Sequence, residues 1–195
     1  MDFELLKAAD HEYVMQSYGR FDVAIDHGKG ATLWDVEGKE YIDFTSGIGV
    51  SALGYGNEAW AKAIADQAMK LGHISNLFYT EPYAVLASKL VPAAGMAAAF
   101  FGNSGAEANE GMIKTARKYS FDKYGKGRST IITLNQSFHG RTITTLKATG
   151  QDHYHDKFFP FTEGFRYADA NDLDSLLSVA GDDVCAVMTF TTSVV

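Results

Sequence analysis

The chain has 195 residues, enough for one domain of ordinary size, of which 46% are hydrophobic and 21% charged, the balance of a globular protein. A formal net charge of −7 argues against a general nucleic-acid binder, which presents a basic face, and a single cysteine, Cys185, excludes an internal disulfide framework. No apolar stretch is long enough to span a membrane, and the start, "MDFELLKAADHEYV", lacks the basic-then-apolar pattern of a secretory signal, so a cytoplasmic location is the expectation.

The first segment, to about Tyr18, reads as a short helix with acidic caps. "FDVAIDHGKGATLWDVEGKEYIDF" then holds three strand-like runs, punctuated at Gly28 and Gly30 and again at Glu37-Gly38, the pattern of a small antiparallel meander. The glycine-rich "TSGIGVSALGYGN" is an irregular crossing. Glu58 to Leu71 is helical, with Trp60, Ile64 and Leu71 on one face and Gly72 able to end it. "HISNLFYTEP" is an aromatic loop, and Pro82 opens a second helix toward Val91. Farther on, Ala97–Phe101 reads as strand and 105–122 as helix, its periodic residues including Met112, Ile113 and Ala116. Ser129–Leu134 reads as strand, Asp172–Val179 as a short helix and Asp183–Phe190 as strand. Strands alternating with helices predict a parallel or mixed α/β sheet.

In such sheets ligands sit beyond the C-terminal ends of the strands. Two loops qualify, Asn103–Gly105 and Gln136–Arg141, and they are expected to face one crevice. In the first, "NSGAEANEGMIKTARKY" runs from small polar residues straight into a helix. It is either an anion site, since a helix N-terminus carries unpaired N–H groups and partial positive charge, or a plain cap with Ser104 and Glu107 as a capping box. In the second loop, "QSFHGRT", Phe138 either packs on a helix or serves a ligand. Arg141 either makes a surface ion pair or clamps a carboxylate bidentately. His139 is either a titrating group or a packing residue of the loop; packing is the favoured reading, and His139 stays a weaker site candidate. No metal site is expected.

Taken together and in order, "YIDFTSGIGVSALG", "HISNLFYTEP", "NSGAEANEGMIKTARKY" and "SFHGRT" resemble the class III pyridoxal-phosphate aminotransferases, and most of all their acetylornithine group. "FHGRT" is shared more widely with ornithine and 4-aminobutyrate relatives. The resemblance spans roughly Tyr18 to Met188. It implies a fold-type I α/β transferase, incomplete here: residues 1–57 as the N-terminal segment of the small domain, with the meander, and residues 58–195 as part of the large cofactor-binding domain. It implies pyridoxal 5'-phosphate as cofactor, with Ser104, Gly105 and Ala106 holding its phosphate and Phe138 stacking on its ring. It implies that Arg141 binds the substrate α-carboxylate, and that Asn76 and Tyr79 are weaker candidates on a loop bordering the site across a homodimer interface. The implied substrates are a small-molecule amino donor, N-acetylornithine, and a 2-oxo acid, 2-oxoglutarate, in arginine biosynthesis.

Two residues that the resemblance requires find no match. The lysine that carries the cofactor as a Schiff base, and the aspartate facing the ring nitrogen, belong to later parts of the family's pattern; no lysine from Lys62 to Lys157 falls in the Schiff-base motif. After "VCAVM" the chain reads "TFTTSVV", where relatives carry an acidic residue and a "QGEGG"-like stretch, and "LGYGN" at Leu53–Asn57 replaces a frequent His-Pro pair. These departures predict an N-terminal fragment that is inactive alone and exposes apolar surface. The alternatives are a non-catalytic remnant or a fragment of an ornithine or 4-aminobutyrate enzyme.

Overall fold

The computed structural model describes residues 2–189. The chain divides into two compact units between Tyr79 and Thr80.

The first unit opens with α1 (Phe3–Tyr13), which begins where Asp2 accepts the Leu5 N–H at 2.9 Å. It stops short of the expected Tyr18 because the Gln16 amide donates to the carbonyls of Asp10 and Val14, local bonds that compete with a further helical turn. The meander is present: β1 (Ile25–Lys29), β2 (Thr32–Asp35) and β3 (Glu40–Ile42) pair antiparallel in the order β1-β2-β3. Gly28 is not part of the first turn but lies inside β1, where a Cβ would come within 2.7–2.8 Å of the Tyr55 side chain and Leu33, so only glycine admits that close approach. At the second turn Asp35 accepts the N–H groups of Glu37 and Lys39 and the Tyr41 hydroxyl. The Tyr41 bond leads in pulling the Asp35 carboxyl below its ordinary value.

The glycine-rich crossing contains one irregular turn, α2 (Ser46–Gly49), with Gly47 and Ile48 in the left-handed region. Asp43 fastens it, accepting the Thr45 N–H and hydroxyl at 2.7 Å each and the Tyr55 hydroxyl at 2.8 Å. The hydroxyl bonds of Thr45 and then Tyr55 hold its pKa at about 2. α3 (Glu58–Leu71) has the expected bounds, with Asn57 accepting the Trp60 N–H. None of its residues is buried, and the expected apolar face, Trp60 and Ile64 included, is exposed.

The second unit begins with α4 (Glu81–Ala94), ended by left-handed Gly95. Ala97–Phe101 is not a strand: it joins no ladder among the described residues. Its three alanines are poor strand formers, and aromatic packing holds it instead. The Phe101 ring meets Tyr83 of α4 edge-on at 4.8 Å, and Phe100 lies over Gly111. Next come α5 (Gly105–Tyr124), β4 (Thr130–Leu134), α6 (Ile143–Ala148), β5 (Phe165–Ala168), α7 (Leu173–Val179) and β6 (Val184–Val187). The sheet is all parallel, order β5-β4-β6, with β4 central and buried. β6 is shorter than the expected run to Phe190, and Phe190 itself lies outside the described residues. α5 presents one stripe inward, Ala106, Asn109, Glu110, Ile113, Ala116 and Ser120, spaced as a 3.6-residue period requires. Met112, expected to share it, is 49% exposed. Ile113 meets Ile131 of β4 and Met188 to form the core of this unit, with Ala116, Phe165, Cys185 and Ala186 packed around them.

Candidate active site

The turn into α5 is a cap that leaves donors over. Ser104 is the N-cap, in extended conformation, and its Oγ accepts the Glu107 N–H at 3.2 Å. The Glu107 carboxylate reaches back past Ser104 to accept from the Asn103 N–H at 2.6 Å and the Asn103 amide at 2.9 Å, so the expected box is displaced by one residue. Gly105 and Ala106 occupy the first helical positions, where no intrahelical acceptor exists, and neither N–H meets an acceptor among the described residues. Nothing lies within 4 Å of the place a Cβ on Gly105 would take. The turn thus offers two N–H donors, the positive end of a 20-residue helix and open space, which is the donor set of a phosphate site.

The second loop is pinned to the same helix. Asn109 donates from its amide to the His139 carbonyl at 2.7 Å, and the Thr142 hydroxyl donates to the Glu110 carboxylate at 2.5 Å. From the other side the His139 N–H donates to Thr149 Oγ1 at 2.9 Å, and that hydroxyl donates to the Thr145 carbonyl. Thr142 also caps α6 in a reciprocal box with Thr145. Between these anchors Gly140 lies against α5: a Cβ there would fall 2.7 Å from the Ala106 Cβ and 2.8 Å from Thr145 Oγ1, and its φ is +126°. Both constraints demand glycine. The loop begins and ends together, since Asn135 bridges Gly150 in parallel register and the Gln136 N–H donates to the Gly150 carbonyl.

His139 is 1% exposed, and burial pushes its pKa down to about 4, so the imidazole is neutral at physiological pH. It packs beneath the loop, the role its position suggested. Phe138 and Arg141 emerge on either side of the buried His139–Gly140 peptide, Phe138 half-buried and Arg141 exposed. The Arg141 guanidinium carbon sits 5.4 Å from the Phe138 ring centre, within cation–π range, and Tyr154 tilts against Phe138 at 6.0 Å. Both line a cavity of 1080 Å³ at the C-terminal ends of β4, β5 and β6, together with Gln151, Tyr154, Asn171 and Asp172.

Ser104, Gly105 and Ala106 do not line that cavity. The two loops meet instead through the Ala106–Gly140 contact. Asn76 and Tyr79 are exposed residues of the first unit's last loop. The anchors Asn109, Glu110, Thr142 and Thr149, and the cavity residues Gln151, Tyr154 and Asn171, were not singled out from the sequence. A polar pair at i+3 and i+4 from Ala106, on the inward stripe of α5, was the available signal. Among the described residues no cluster of His, Cys, Asp or Glu could hold a metal ion, and no helix is long and apolar enough to cross a membrane.

The family described as aminotransferase class-III matches residues 13–191. An acetylornithine aminotransferase of Haemophilus ducreyi is 54% identical over 189 residues, covering 96% of this chain and 48% of its own length. That of Wolinella succinogenes is 55% identical over 184 residues, covering 93% and 46%. Among solved structures, the ornithine aminotransferase of Toxoplasma gondii ME49 superposes with a TM-score of 0.90 at 30% identity, over 97% of this chain and 45% of that one. The chain spans about half the length of the curated relatives it matches and carries part of the fold-type I α/β architecture. With a family match over residues 13–191 and relatives 54% and 55% identical over most of its length, the chain belongs to the class III aminotransferases.

Proposed function

We propose that this chain forms part of a pyridoxal 5'-phosphate-dependent aminotransferase of the acetylornithine type, transferring the amino group of N-acetylornithine to 2-oxoglutarate in arginine biosynthesis. The observation that carries the reading is the Ala106–Gly140 contact. The first turn of α5 lies there against the loop that bears an aromatic ring and an arginine, which supports a shared site. The acetylornithine aminotransferases that are 54% and 55% identical to this chain support the substrate class.

In this reading Ser104, Gly105 and Ala106 hold the phosphate through one hydroxyl and two backbone N–H groups. The Phe138 ring packs on the pyridine face, and the Arg141 fork pairs with the α-carboxylate of the donor. When bound, pyridoxal phosphate supplies an electron sink for the carbon next to the amino group. The buried, neutral His139 does not exchange protons in this scheme; it fills the space under the loop. The lysine and the aspartate that complete the chemistry are assigned to no residue of this chain, and the 195 residues by themselves are proposed to be inactive. A cytoplasmic homodimer belongs to the same proposal, as do the domain limits at 57/58 and the weaker candidates Asn76 and Tyr79.

A second reading takes ornithine as donor, favoured by the likeness to the Toxoplasma enzyme; Arg141 reads the α-carboxylate of either. The test is glutamate formation from 2-oxoglutarate by the full-length protein containing this chain, with acetylornithine, ornithine and 4-aminobutyrate compared. A kcat/KM highest for acetylornithine supports the proposal. Preference for ornithine selects the second reading, and no protein-dependent glutamate with any donor sinks both.

A further inference from the structure

We propose that Asn109 is a positioning residue for the carboxylate clamp, holding Arg141 at a set distance from the phosphate turn; this rests on the aminotransferase reading above. Three observations carry it. First, the first two turns of α5 do two jobs on different sides: Gly105 and Ala106 leave their N–H groups open, while Ala106, Asn109 and Glu110 face the second loop. Second, Arg141 is bracketed by two bonds to that helix. The Asn109 amide holds the carbonyl of His139, two residues before it, and the Glu110 carboxylate holds the hydroxyl of Thr142, the next residue. Third, Arg141 lines the cavity beside the Phe138 ring of the same loop, so the place from which its side chain reaches out is fixed by the backbone on either side.

The two bonds to α5 therefore help to set the separation of the two proposed anion-binding points, beside the loop's anchors to α6 and to the end of β4. A substrate that is joined to the cofactor and also held by its carboxylate needs that separation to be constant. The Asn109 bond runs from a half-buried amide to a buried peptide, so water does not replace it without the loop lifting. Asn109 touches neither proposed anion, and it acts through Arg141.

The experiment uses the full-length holoenzyme and the variants Asn109→Ala and Asn109→Asp, the second of which keeps the size and removes the donor. Two affinities are measured: pyridoxal phosphate for the apoenzyme, by fluorescence titration, and glutarate, a non-reacting dicarboxylate, for the loaded enzyme, by the shift in cofactor absorbance. The ratio of kcat/KM for the amino acid donor to that for the amine lacking its α-carboxylate gives a third reading, which does not depend on the fraction folded. The proposal expects glutarate affinity and this ratio to fall about tenfold, the effect of one hydrogen bond, with pyridoxal phosphate affinity changed less than about threefold. Equal weakening of both ligands, or an unchanged ratio, overturns it and leaves Asn109 a structural residue. Should the Asn109 variants fail to fold, Thr142→Val against Thr142→Ser gives the same test on the second bracket: the serine variant restores the ratio if positioning is the role and does not if packing is. A wild-type enzyme that binds no pyridoxal phosphate overturns the aminotransferase reading, and this proposal with it.

Discussion

Gly140 presses its backbone on Ala106 so closely that a methyl group at Gly140 would lie 2.7 Å from the Ala106 Cβ and 3.0 Å from its Cα. No flexible side chain can yield there, because Ala106 belongs to the first turn of α5. Gly140→Ala therefore meets both a steric overlap and a φ of +126°. Overpacking and a forbidden backbone region together cost about 2–5 kcal/mol. Urea denaturation of the variant against wild type measures it. A loss under about 1 kcal/mol would mean that the loop moves off the helix cheaply, and that the two halves of the proposed site are not rigidly joined.

Gly105→Val is expected to separate stability from binding. The space around Gly105 is open for 4 Å, so the added side chain clashes with nothing and unfolding free energy changes by less than about 1 kcal/mol. The same side chain stands over the two open N–H groups and crowds an approaching phosphate. Pyridoxal phosphate affinity should fall at least about tenfold, one lost hydrogen bond or more. Titration of the cofactor into both proteins, with thermal unfolding alongside, checks the two halves.

Arg141→Ala should weaken the carboxylate substrate more than the cofactor. A charge-assisted pair is worth about 1.5–3 kcal/mol, or about 10- to 100-fold in KM. The Phe138 ring also loses the cation 5.4 Å away, a smaller effect. Equal losses for cofactor and donor would assign Arg141 to the fold.

His139 makes stability depend on pH in a defined window. Its folded pKa is pushed down to about 4 by burial, against about 6.5 in the unfolded chain. Between these values the unfolded state binds the proton and the folded state does not, so stability rises with pH through the window. The contribution is complete above about pH 6.5 and is lost as pH falls toward 4, by about 2–3 kcal/mol in all. Replacing His139 by Gln should flatten that part of the profile. Denaturant unfolding at pH 7, 5.5 and 4.5 for both proteins supplies the comparison, and parallel curves would contradict it.

The elements with a clear period were legible in the sequence. α3 has its expected bounds, and β4 and α5 lie within a residue or two of theirs, because apolar spacing and end signals agreed there. β5, "FRYA", escaped notice because four residues with a central arginine show neither an apolar run nor clean alternation. α6 escaped because its start is a box of two threonines inside a loop read for its motif. Ala97–Phe101 was misread because an apolar run says that a segment is sheltered, not that a neighbouring strand is there to receive its hydrogen bonds. In the site, motif residues stood out, but the residues that aim them did not. Asn109 and Glu110 sit on the inward stripe of α5, where a search for hydrophobic periodicity passes over polar side chains.

The loop that closes at the Asn135–Gly150 bridge has a consequence for the order of assembly. The bonds that tie the second loop to α5 and α6 come from one continuous stretch ending at Gly150, with the Gln151 amide adding a bond to the Ser137 carbonyl just beyond it, and the bonds to α5 span 30 and 32 residues. Loops of this length are closed at a cost that grows only slowly with length. The core beneath α5 also needs later residues, because Ile113 packs on Ile131 and on Met188, beyond β6, so α5 and the loop are seated on the sheet only once β6 flanks β4. A chain cut before β6 would keep these local bonds and lose the core contact that seats α5. A ligand bound to the α5–loop unit would stabilise it by mass action in that state.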